Sequence, residues 1–127
     1  MPAGWDVKRS PGQVSAGKGD ELVSVRTVAL ANAYRPGLAA GAAKELDRVA
    51  AEVAQGLHGE VSTSCSRCPK VGADVLTRGY SIRYGELVQE ITFVLVDKRE
   101  YQLTCRRKHD DDDSACAQLR SSFRLAA

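Results

Sequence analysis

Histidine occurs only twice in the 127 residues, at His58 and His109, and both fall at the ends of expected elements. No serine–histidine–acid set can be drawn from so few imidazoles. No apolar run approaches the roughly 20 residues that a membrane helix needs. A strong charge is missing as well: 18 Lys and Arg stand against 16 Asp and Glu, a net charge of +2. Nucleic-acid binders concentrate basic residues on one face. Here Arg26, Arg78, Arg83, Arg106, Arg107 and Arg120 are scattered, and Arg106-Arg107-Lys108 adjoins an aspartate run that offsets it. Gly12, Gly17 and Gly19 lack the strand–loop–helix setting and the lysine–serine pair of a phosphate loop. No internal repeat and no leader peptide is visible. Met1-Pro2-Ala3-Gly4 runs directly into Trp5, which fits either a cytosolic chain or a mature domain whose leader, with any lipid anchor, has been removed.

What the chain does contain is alternation. Hydrophobic residues make up 43% and charged residues 27%, as in ordinary globular domains, and the length suits one domain spanning residues 1–127. Period-two patterns mark strands at Trp5–Arg9, Leu22–Leu30, Glu60–Ser64, Val75–Tyr84, Leu87–Val96 and Tyr101–Arg106. The stretch Ser10–Asp20, with Pro11, Gly12, Gly17 and Gly19, reads as a loop. Gly85-Glu86 and Asp97–Glu100 are short enough to be hairpin turns, which makes the last strands antiparallel.

Between the strand groups, Leu38, Ala42, Leu46, Val49, Val53 and Leu57 form one stripe at helical spacing. Pro36 suits its first turn. Lys44, Glu45, Asp47, Arg48, Glu52 and Gln55 take the other side, where Glu45–Arg48 and Lys44–Asp47 can pair. Gly59 suits a left-handed cap, and a charged His58 would suit the same helix end. Near the C-terminus, Ala115, Leu119 and Phe123 form a narrow stripe, with Ser114 as the cap. The expected fold is therefore α+β: an antiparallel sheet of about six strands, packed by one long helix (about 36–58) and a short C-terminal helix (about 113–124).

Four cysteines, Cys65, Cys68, Cys105 and Cys116, form an even set without zinc-ribbon spacing, which points to disulfides and an oxidising compartment. Cys105 closes the last expected strand and Cys116 opens the last helix, so a disulfide between them would close a loop of about ten residues. Cys65-Ser66-Arg67-Cys68 is a CxxC followed by Pro69-Lys70-Val71-Gly72. That is poor helix material, so the dipole that activates a redox thiol is not expected. A zinc site would have to join Cys65 and Cys68 with Cys105 and Cys116 or with His109, and the spacing of Cys105 and Cys116 is too wide for a knuckle. A local disulfide and a cross-pairing with the C-terminal cysteines both stay open. His109 with Asp110 to Asp113 lacks the alternation, glycine and distal glutamate of a calcium loop and reads as a solvated loop.

Several segments together resemble the PsbP-like family, which includes photosystem II extrinsic proteins, Mog-type Ran-binding proteins and bacterial secreted proteins or lipoproteins. They are Pro2-Ala3-Gly4-Trp5, Val28-Ala29-Leu30, the helix Leu38–Leu57, Arg78-Gly79-Tyr80, and Glu100-Tyr101-Gln102-Leu103-Thr104-Cys105. Cys116 and Leu119-Arg120-Ser121-Ser122-Phe123 complete the set. The resemblance implies a non-enzymatic domain that binds or assembles with another protein. It carries no matching motif for a binding residue. The expectation is a monomeric binding or scaffold domain, extracytoplasmic, with no cofactor, no nucleic acid and no membrane span. The alternatives are a small zinc-binding or thiol-redox protein and an intracellular chaperone or adaptor of the same fold.

Overall fold

The computed structural model describes residues 6–19, 21–63, 75–108 and 116. They form one sheet of seven strands: β1 (Asp6–Ser10), β2 (Gln13–Lys18), β3 (Glu21–Ala29), β4 (Glu60–Thr63), β5 (Leu76–Tyr84), β6 (Leu87–Val96) and β7 (Arg99–Lys108). A turn of 3-10 helix, Pro36–Leu38, leads into the helix α1 (Ala39–Gly56) between β3 and β4. The strand order is β1-β2-β3-β7-β6-β5-β4, and every neighbouring pair is antiparallel.

This corrects the expected layout of about six strands under two helices. Strands take 58% of the described residues, and α1 is the one α-helix of any length among them. The additional strand is β2. Its bounding turn residues, Pro11-Gly12 and Gly19-Asp20, make the whole stretch look like a loop. They bracket a strand, Gln13–Lys18, whose ends pair Gln13 with Ser10 and Lys18 with Glu21, and in which Val14 and Ala16 alternate with Gln13, Ser15 and Gly17. Gly12 sits at φ +74 after Pro11, the arrangement of a type II turn. A side chain there would meet the Thr27 carbonyl at 3.1 Å, and that same strand donates Thr27 N–H to the Gly12 carbonyl at 2.7 Å. The short helix expected at about 113–124 lies outside the described residues apart from Cys116.

Two further details differ. The β6–β7 turn is two residues, Asp97-Lys98, and not four: Val96 pairs with Arg99, and Asp97 takes φ +52. The left-handed residue at the end of α1 is His58 (φ +55), not Gly59. His58 N–H donates to the Gln55 carbonyl and Gly59 N–H to the Ala54 carbonyl, which is the double closure of a Schellman motif. Gly59 is needed for another reason. A Cβ there would stand 2.7 Å from the Arg83 carbonyl and 2.9 Å from Ile82 Cγ2, so only glycine lets the chain turn this tightly onto β5.

The main core lies between α1 and the β5–β6 end of the sheet. Leu46, Ala50 and Ala54 of α1 meet Tyr80, Ile82, Ile91, Phe93 and Leu95, while Leu30, Tyr34, Ala42, Val49, Val53 and Leu57 close the margin. Ala50 and Ile82 have no accessible surface. The alanines let α1 approach the sheet closely, and Tyr80 and Phe93 pack edge to face at 5.9 Å. The connector before α1 is held at the tip of the β6–β7 hairpin, where Leu30 N–H donates to the Lys98 carbonyl and Tyr34 N–H to the Asp97 carbonyl. Among the described residues, no helix is long and apolar enough to cross a membrane.

Candidate functional site

Paired residues of adjacent strands project to the same face, so the strand registers map both faces of the sheet. On the α1 side, Phe93 pairs with Gln102, Gln102 with Arg26, Arg26 with Gln13 and Gln13 with Ser10. The next row runs Ile91, Thr104, Ser24, Ser15, Lys8. Each row changes from apolar to polar at the β6–β7 boundary. Beneath α1 the face is a core; beyond it, over β7, β3, β2 and β1, it is an array of Gln, Ser, Thr, Arg and Lys. Lys8, Ser10, Gln13 and Arg26 are exposed, and Ser15, Ser24, Gln102 and Thr104 are half-buried. Gln102 donates to Glu100 at 2.6 Å, which fixes its amide within the array.

The opposite face is apolar where that array is polar. Val7, Ala16, Val23 and Cys105 share one row, and Arg9, Val14, Val25 and Leu103 the next. Ala16, Val23, Cys105 and Cys116 form a second, smaller core. Cys105 and Cys116 are joined as a disulfide with their Cα atoms 5.4 Å apart. Cys105 is thus placed by β7 and Cys116 is held over the sheet by the crosslink.

A carboxylate joins this pair. Glu90 is the ladder partner of Cys105, so it lies on the same face. One Glu90 oxygen and the two sulfurs all lie within 4.8 Å of one another. The sequence singled out both cysteines but not Glu90. The signal was the β6–β7 register: a two-residue turn at Asp97-Lys98 pairs 90 with 105, whereas a four-residue turn pairs Cys105 with Thr92. Cys65, Cys68 and His109, the other residues considered for disulfide or metal roles, lie outside the described residues.

A third polar cluster sits at the edge of the main core. The Arg78 guanidinium of β5 donates to both oxygens of Asp47 on α1, at 2.9 and 3.1 Å, and its Nε also reaches the Tyr80 hydroxyl at 2.8 Å. The Tyr80 hydroxyl donates in turn to Asp47. Asp47 therefore does not pair within its helix with Lys44 as its spacing suggests; it reaches across to the sheet. Hydrogen bonds from Arg78 and then from Tyr80 hold the Asp47 carboxyl below the usual carboxylate range, and the same contact with Asp47 raises Arg78. Burial, followed by the hydrogen bond to Asp47, pushes Tyr80 up to about 12. Its hydroxyl stays protonated and donates at neutral pH. The bidentate geometry ties α1 to β5. On the outer side of the helix, Arg48 bridges Glu45 and Glu52.

Comparison with protein-family models and with characterised proteins finds no match for this chain.

Proposed function

We infer that this chain is a non-enzymatic binding domain whose contact surface is the open polar half-face of the sheet, and that it works as a monomer in an oxidising, extracytoplasmic compartment. One observation carries the reading: a single sheet face that is packed under α1 and polar across β7, β3, β2 and β1. A hydrogen-bonding array of Arg26, Gln102, Ser24 and Thr104 spread over neighbouring strands suits the polar rim and bridging waters of a protein–protein contact better than it suits enclosure of a small ligand. The partner class that follows is a folded protein surface. The Cys105–Cys116 crosslink supports the compartment, since such bonds persist where thiols are not kept reduced. The resemblance to PsbP-like proteins supports a binding role and rests on sequence segments alone.

The test is site-specific photo-crosslinking in the producing cell. A photo-reactive residue at Arg26 is expected to give one adduct of defined mass. The same group at Lys44, on the exposed side of α1, is expected to give none. Equal adducts at both positions, or none at Arg26, would overturn the assignment. Alkylation of intact cells before lysis, followed by mass measurement, is expected to leave Cys105 and Cys116 unmodified; labelled thiols there would place the protein in a reducing compartment.

A further inference from the structure

We propose that Glu90, Cys105 and Cys116 have a second use: when the crosslink is reduced, the two thiolates and the carboxylate bind one zinc ion. The two states of this site, disulfide and metal centre, exclude each other because they use the same sulfur atoms.

Three potential donor atoms from β6, β7 and the Cys116 segment lie within 4.8 Å of one another. Zinc bonds of about 2.3 Å to sulfur and about 2.0–2.2 Å to carboxylate oxygen place tetrahedral ligand atoms about 3.5–3.8 Å apart. Once the sulfur–sulfur bond is broken, the two sulfurs can part to this spacing with the Cα atoms 5.4 Å apart. Two thiolates select zinc over harder cations. Burial shapes the site further: Cys105 is 4% and Cys116 1% exposed, whereas Glu90 is only half-buried. The sulfurs are thus shielded, and the open fourth position faces the Glu90 side, where water can complete the tetrahedron. Two thiolates and a carboxylate around a dication leave one net negative charge. Arg107, the next residue of β7 on this face, brings a compensating positive charge.

A dithiol of the thioredoxin class supplies two electrons and two protons and is left as a disulfide; in vitro a phosphine supplies the electrons, and one water gives its oxygen to the phosphine oxide and its two protons to the thiols. Zinc binding then releases both protons as the thiolates form. In the reverse direction an azo-type thiol oxidant takes two electrons from the two thiolates and two protons from water and becomes a hydrazine, the sulfur–sulfur bond re-forms and Zn²⁺ leaves. A chain made in a reducing compartment would hold the metal first and the crosslink after export. The in vitro chemistry stands whether or not the binding-domain reading does.

The experiment uses the full chain carrying Cys65→Ser and Cys68→Ser, which removes the other thiols. The protein is reduced with a phosphine and titrated with Co²⁺ and then Zn²⁺, with far-ultraviolet circular dichroism at each stage. One Co²⁺ per chain is expected, with the thiolate charge-transfer band and the intense visible bands of a tetrahedral site, displaced stoichiometrically by Zn²⁺. The oxidised protein is expected to take up none. Adding Glu90→Gln is expected to weaken zinc binding tenfold or more, a loss typical of a removed coordination partner. Stoichiometric zinc release on oxidation with diamide, read with a chromogenic chelator, supports the exclusion of the two states. The proposal is overturned by no uptake after reduction, by uptake in the oxidised protein, or by unchanged affinity in Glu90→Gln. Loss of the fold on reduction that zinc does not restore overturns it too.

Discussion

The two faces of the sheet are held by different means. On the α1 side, large side chains interdigitate: Leu46, Tyr80, Ile82, Ile91, Phe93 and Leu95 form a core with Asp47, Arg78 and Tyr80 latching its edge. On the other side, the described cluster is built on small residues, Ala16 and Val23, around Cys105 and Cys116. Val88, Val94 and Leu103 of the same face are buried as well, and there the chain adds a covalent link to its apolar packing. The difference teaches that one sheet can bury apolar side chains on both faces and still close one with a latched helix and tie the other with a crosslink.

The comparison can be broken first at its strong side. Ile82→Ala removes a fully buried side chain beneath α1 and is expected to cost about 2–5 kcal/mol in urea unfolding. A much smaller loss would mean that α1 is not what closes this core. On the other face, the double change Cys105→Ala and Cys116→Ala removes a crosslink spanning 11 residues and is expected to cost about 2–3 kcal/mol by loop entropy. The two cores lie on opposite faces with β6 between β5 and β7. The losses should therefore add to within about 0.5 kcal/mol when combined, and strong coupling would show that the faces are one unit.

Smaller effects sharpen the picture. Gly59→Ala pushes a methyl group against the Arg83 carbonyl and Ile82 and should cost about 1–3 kcal/mol as an overpacking strain, read as a lower denaturation midpoint. The weakest is the pH dependence of the latch. Asp47 is held below its ordinary value by Arg78 and Tyr80. Its contribution is thus complete above the unfolded-chain carboxyl value of about 3.9 and is lost as pH falls through the folded-state value. The stability difference between the protein and its Asp47→Asn variant should be flat from neutrality to about pH 5 and shrink below about pH 4. A difference that grew on acidification would sink the assignment.

Much of the sheet was legible because period-two alternation is local. β5 and β6 show it cleanly through Tyr80, Ile82 and Tyr84 and through Ile91, Phe93 and Leu95. The stripe from Leu38 to Leu57 shows the helix equally well. β2 was not legible because its own residues are few and its boundaries are rich in glycine, so the turns masked the strand they delimit. The Cys105–Cys116 pair could be anticipated from spacing. Glu90 could not, since its neighbourhood depends on whether the β6–β7 turn has two residues or four. Asp47 was hidden for another reason: on a helical wheel it belongs with the solvent-facing charges, and only the tertiary approach of β5 gives it Arg78 as a partner.

The strand order has a kinetic consequence. β1-β2-β3 and β4-β5-β6-β7 are each meanders of nearest neighbours in sequence, and the β3–β7 ladder, which pairs Ala29 with Arg99 and Leu22 with Arg106, is the one seam between them. Within each meander only short loops need close. The seam must close a loop of about seventy residues, which is the entropically slow event in folding. Truncating Val25 on the seam should therefore slow refolding more than it accelerates unfolding, the signature of contacts already made at the rate-limiting barrier.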